Sequence, residues 1–176
     1  MNIRTLFACA AAITSLSMLG VAPAPTPVPL QKPDFSSMMF LTGTWECHQM
    51  LRGKDRPNTS VTTIGMDGTY MITQDTAPPF DRYRTFTVKS TSYLTYDRTI
   101  KKWVSLGVDN TGGYFLGSSP GWNGNTLSSS AKGLDGSMGS DVLTKVSDTE
   151  TVDHSTGTDP HGKVTKSVIT CKKIKP

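Results

Sequence analysis

From Thr44 onward the chain repeats one pattern: short runs rich in Thr, Val and aromatic residues, broken by Gly, Pro, Asn and Asp. Such runs read as strands, because β-branched and aromatic side chains suit a pleated, half-buried surface. They cover residues 44–51, 60–66, 69–74, 83–89, 92–96, 102–108, 114–118, 126–131, 141–147, 149–154 and 164–172. Asp67-Gly68 between two of the runs is a hairpin signal. Residues 52–58 are polar and read as a turn. Residues 75–81, with Pro78-Pro79, read as a loop. The Gly-rich stretch 133–139 reads as a mobile connection. Strands at about ten-residue spacing with no convincing helix predict a sandwich or a barrel.

The stretch Leu41-Thr42-Gly43-Thr44-Trp45-Glu46-Cys47 organises the rest. On a strand, Gly43, Trp45 and Cys47 share one face and Glu46 and His48 the other. A Trp face turned inward would plug the base of a sheet and leave Glu46 and His48 in solvent. Just before it, Met38-Met39-Phe40-Leu41 can form a helical turn after an Asp34 or Ser36 cap. That turn would close one end of a barrel, its two methionines filling an irregular gap.

The cysteines favour the barrel. Cys9 lies in an apolar leader, which leaves Cys47 on the first strand and Cys171 on the last. A disulfide between them makes the outer strands neighbours and closes an up-and-down sheet. The alternatives are two unpaired thiols or a metal pair, and no further ligands stand at zinc-like spacing. The expected fold is all-β, a closed or nearly closed antiparallel barrel of about 8–10 strands.

Composition adds to this reading. Hydrophobic residues make up 36% and charged residues 18% of the 176, both low for a globular chain, with Thr, Ser and Gly filling the difference. The first residues are a short positive start, Met1 to Arg4, followed by a small, apolar run to Val21. Residues 1–22 read as a signal peptide, 23–33 as a Pro-rich extended linker and 34–176 as the barrel domain. A secreted or periplasmic location follows, with no membrane span in the mature chain. Net charge is +4, and removing Arg4 with the leader leaves +3. The only basic clusters are Lys101-Lys102 and the C-terminal lysines, so nucleic acid is not an expected partner.

Several short segments together resemble a known group. Gly43-Thr44-Trp45 resembles the Gly-x-Trp start of calycin barrels, which include lipocalins and fatty-acid-binding proteins. The segments 96–104 (Tyr-Asp, turn, Lys-Trp-Val), 108–113 (Val-Asp-x-x-Gly) and 121–127 resemble a bacterial domain-of-unknown-function family of calycin-like barrels. The likeness spans about residues 36–174 and implies a fold rather than an activity. Two departures stand out. Lipocalins set an Arg from the last strand over the barrel-base Trp, whereas this chain offers Lys172 and Lys173, whose stems can pack on an indole. Haem-binding relatives use a His on a late strand. His154 sits on such a strand among polar neighbours, and His161 reads as a turn residue, so no cofactor is expected.

Candidate chemistry is sparse. No phosphate loop, dinucleotide fingerprint or serine-nucleophile elbow is present, and no nucleophile–base pair is visible, so catalysis is not expected. Asp97 and Asp109 read as turn caps. Asn58-Thr59-Ser60 has the form of a glycosylation acceptor. The expected function is binding of a small apolar or amphipathic ligand inside the barrel. Its candidate lining is Met66, Met71, Tyr83, Phe86, Tyr93, Trp103, Phe115 and Trp122. The alternative is a non-catalytic structural or interaction protein of the cell envelope with a packed interior. A large cavity would favour the first. A filled interior and an exposed aromatic patch, at Phe80, Tyr114 or Trp122, would favour the second.

Overall fold

In a computed structural model of the chain, residues 31–51, 53–80 and 85–175 are described. The expected signal peptide and most of the linker lie outside them. A 3-10 turn, Ser36–Leu41, precedes strands β1 (Gly43–Leu51), β2 (Lys54–Gly65), β3 (Tyr70–Ala77) and β4 (Val88–Asp97). Then come β5 (Lys102–Asp109), β6 (Tyr114–Ser119), the two-residue β7 (Trp122–Asn123) and β8 (Thr126–Gly133). The set ends with β9 (Met138–Ser147), β10 (Glu150–Thr158) and β11 (Val164–Lys175).

Consecutive strands pair antiparallel, β11 returns to β1, and β6 pairs with β8. The sheet therefore closes on itself as an up-and-down barrel. β7 continues β6 past Pro120-Gly121 and pairs the start of β8, so ten strands make the wall. Cys47 lies directly opposite Cys171 in the β1–β11 register, and the two are joined by a disulfide.

Three expectations about local structure change. Residues 54–58 are strand rather than turn, because β1 and β2 form a tight hairpin in which Leu51 already faces Lys54. Pro57 is tolerated there because β2 pairs only β1 at that point, and β3 joins from Thr59 onward. Among the described residues, the end of the 83–89 run and the 92–96 run are one strand, since β4 passes unbroken from Val88 to Asp97. The stretch 133–139 is a hairpin, closed by Gly133 N–H on the Ser137 carbonyl, with Ser137 N–H held by the Asp135 carboxylate.

The core sits at one end. Phe35, Met38 and Met71 are buried together, with Leu41, Ile64, Leu94, Trp103, Trp122 and Leu127 packed around them. The 3-10 turn therefore works as a plug, and Met38 at its centre is 0% exposed while Met39 faces out. Asp34 holds the turn's first N–H, on Ser36. Gly43 follows at a φ of 112°, a backbone state that only glycine adopts cheaply. It lets the chain leave the plug and enter β1 at once. Trp45 is 4% exposed and donates its indole N–H to the Leu41 carbonyl. Lys173 lies over that indole at 5.1 Å and donates to the Phe40 carbonyl, so a lysine of the last strand occupies the place expected for an arginine.

Candidate functional site

With Trp45 and Cys47 fixed as inward, the register assigns the face of every other residue. Glu46 and His48 are exposed on the outer wall, where His48 Nδ1 meets the Asp55 carboxylate at 2.8 Å. His154 is exposed on the outer wall as well. Asn58 pairs Cys47 and points inward, half-buried, with its side-chain oxygen buried.

Above the plug the interior is polar. Ser129 donates to the Asp141 carboxylate at 2.7 Å, and Ser90 donates to Asp75. The hydroxyls of Ser155 and Ser167 meet at 2.6 Å, and Gln49 donates to Ser167. Asp153 stands between β9 and β11, with one carboxylate oxygen buried and without a hydrogen-bond partner. Burial, then the charge of Asp141, pushes Asp153 up to about 6, against a smaller pull from His154. Burial also raises Asp75, opposed by hydrogen bonds from Ser60 and Ser90. A belt of hydroxyls and carboxylates thus crosses the lumen between the plug and the other end.

The end opposite the plug is open. A cavity of ≈ 870 Å³ lies there, lined by the ends of β5, β6, β8, β9 and β10 and the turns that join them. Glycines face it on several strands. The Phe115 ring lies against Gly107, so close that a β-carbon there would fall 2.0 Å from it. A β-carbon at Gly139 or Gly157 would meet nothing within 4 Å. One wall is therefore bare peptide, backed by Ala131 and Gly133. Leu134 and Met138 add apolar surface, while Asp109, Asp135 and Asp159 stand at the rim. The Asp109 carboxylate is occupied by its own turn, accepting from Thr111 and from the N–H of Gly113. Asp97 serves the β4–β5 turn in the same way.

Of the residues expected to line a pocket, Phe115 reaches this cavity. Met71, Trp103 and Trp122 pack into the plug instead. Tyr93 and Met66 border a separate groove on the outer wall, and Phe86 is exposed ahead of β4. Tyr83 lies outside the described residues. The sequence reading missed the inward glycines, although Gly107, Gly117, Gly139 and Gly157 all sit inside strands. A glycine inside a strand is a recognised mark of close approach by a ring, a ligand or another backbone. It also missed Asp75, Asp141 and Asp153, which look in sequence like ordinary solvent-facing strand positions.

No protein-family model matches the chain, and no curated protein matches it. Among solved structures, one similar chain is a redesigned β-barrel, mFAP1, bound to DFHBI. It is 16% identical over 77% of this chain and 96% of that one, with a TM-score of 0.35. At that score the two barrels are only loosely alike, and nothing about the ligand passes from one to the other.

Proposed function

We propose that this barrel binds one small amphipathic molecule through its open end. The observation that carries the proposal is the cavity of ≈ 870 Å³, which lies in the size range of small-molecule sites. Its lining suits a ligand with an apolar body and a polar end. Phe115, Leu134 and the glycine wall meet the body, and the rim of the barrel meets the polar end. An enclosed ten-strand wall leaves room for one such molecule. The cavity supports this proposal over a fully packed interior.

The barrel works outside the cytoplasm on the same reading. A disulfide between the first and last strands is stable in an oxidising compartment and rare in a reducing one. The positive start and apolar run of the first residues support export as well. The ten-strand up-and-down architecture, the Gly43–Trp45 start and the Lys173 contact on the indole support kinship with calycin-like barrels.

Titration of the full, oxidised chain with N-phenyl-1-naphthylamine, an uncharged aromatic probe, tests the binding proposal. Saturable fluorescence with one probe per chain is expected. Gly139→Leu with Gly157→Leu fills open space and should weaken probe binding about tenfold without lowering the melting temperature. Equal binding by parent and variant would place the probe elsewhere and overturn the proposal.

A further inference from the structure

The outer wall carries a second feature that the lumen does not explain. Antiparallel barrels in water present polar residues outward. Across four strands this barrel does not. Ile72 on β3 pairs Tyr93 on β4, which pairs Leu106 on β5, which pairs Leu116 on β6. Leu106 is 41% and Leu116 59% exposed. Tyr70 stands edge-on to Tyr93, their ring centres 6.3 Å apart, and Met66 at the neighbouring turn is 60% exposed. Met66, Tyr70, Tyr93, Val104, Leu106 and Leu116 border a shallow groove of ≈ 390 Å³. Exposed apolar side chains set side by side across strands, rimmed by polar residues, are the kind of surface that interaction sites use.

The charges around it are mostly of one sign. Leu116 is followed in the same cross-strand row by Lys132. The β4–β5 turn at one end brings Arg98, Lys101 and Lys102, all exposed, around the exposed Ile100. The one carboxylate in that turn, Asp97, is taken up by the N–H groups of Thr99 and Ile100. A second copy set on this face in a two-fold contact would bring like charges together. An anionic lipid surface answers both features. Leucine and tyrosine side chains enter the headgroup boundary, where amphipathic rings settle, and the lysines reach the phosphates.

We propose that the outer face of β3–β6 is a docking surface for an anionic membrane, on which the barrel rests without spanning it. The juxtaposition that carries this is the uncharged row Ile72–Tyr93–Leu106–Leu116 with its lysine and arginine rim. It is independent of any ligand in the lumen.

The test is co-sedimentation of the full, oxidised chain with vesicles, either pure phosphatidylcholine or about 30% phosphatidylglycerol. Parent and variants share the same N-terminal residues, so differences between them belong to this face. Binding to the anionic vesicles is expected, weakening as salt is raised. Leu106→Ser with Leu116→Ser should reduce it about tenfold, as should Lys101→Glu with Lys102→Glu. All four side chains are exposed, so thermal melts should not move, and the lysine variant keeps the test alive if the leucine variant misfolds. Unchanged vesicle binding in both variants overturns the proposal. So does a parent that ignores anionic vesicles, as a protein-docking face would. A dimer in light scattering that the leucine variant dissociates also overturns it, by giving the face to a second copy. Probe binding in the lumen is expected to be unchanged in both variants.

Discussion

Replacing Cys47 and Cys171 together by Ala tests how this barrel is held closed. Among the described residues only Phe35, Met38, Trp45, Cys47 and Met71 are buried apolar side chains. So small a core makes any covalent constraint a large share of the total. The disulfide joins residues 124 apart in sequence. On the chain-entropy account, closing a loop of that length removes about 5 kcal/mol of freedom from the unfolded chain, and measured values often fall below it. Whole domains are stable by only about 5–15 kcal/mol, so the expected loss of about 3–5 kcal/mol takes a large part of it. The folded barrel should survive, because β1 and β11 stay in register from Trp45 to Leu51, past the irregularity at Thr44.

Urea unfolding followed by tryptophan fluorescence measures the effect, since Trp45, Trp103 and Trp122 all sit at the plugged end. If the disulfide acts on the unfolded chain, the midpoint falls and the slope m rises, because an uncrosslinked chain exposes more surface. Refolding should slow too, as the first and last strands must now find each other unaided. A loss under about 1 kcal/mol with unchanged m would refute this account. It would mean that strand pairing and the plug close the barrel without the crosslink.

Three other perturbations probe the two ends. Met38→Ala hollows the centre of the plug, where nothing can collapse past Trp103 and Trp122, and should cost about 2–5 kcal/mol by thermal or urea unfolding. Lys173→Met keeps the packing stem but removes the ammonium over Trp45 and its hydrogen bond to Phe40, so a loss of about 1–2 kcal/mol is expected. Asp153 gives a pH signature. Its carboxyl is raised from 3.8 to about 6, so the folded chain binds its proton more tightly than the unfolded one. The stabilisation is complete below the unfolded value and is lost as pH rises through the folded value. Partial solvent access limits that loss to about 1–2 kcal/mol. Asp153→Asn should abolish this slope and be more stable than the parent near neutral pH. Parallel stability curves for the two proteins between about pH 4 and 7 would show that Asp153 is not the group responsible.

The strand order, the closure and the inward face of β1 were all legible, because each rests on a strong local signal. Asp67-Gly68 turns the chain between β2 and β3, and Trp45 with Cys47 can only face in once a plug and a partner strand exist. The lining of the lumen was not legible, and the reason is physical. Period-two reading sorts a strand into two faces but labels them only when one is apolar. On β9, Asp141 and Leu143 face in while Val142 faces out, and on β10 Asp153 faces in beside Thr151. Both faces therefore read as mixed. A small barrel could not tolerate this, because an unpaired carboxylate would have to leave water for a packed core. Ten strands make a wider wall, and the serines on neighbouring strands supply donors to the carboxylates inside it. The same width explains the aromatic residues. A lumen that need not be packed takes Trp103 and Trp122 at the plug and Phe115 at the mouth. Tyr70 and Tyr93 are then left on the outer wall, where they form part of the apolar face. In this chain the division of labour runs along the barrel axis rather than from inside to outside. Hydrophobic burial is concentrated at one end, and the other is left open.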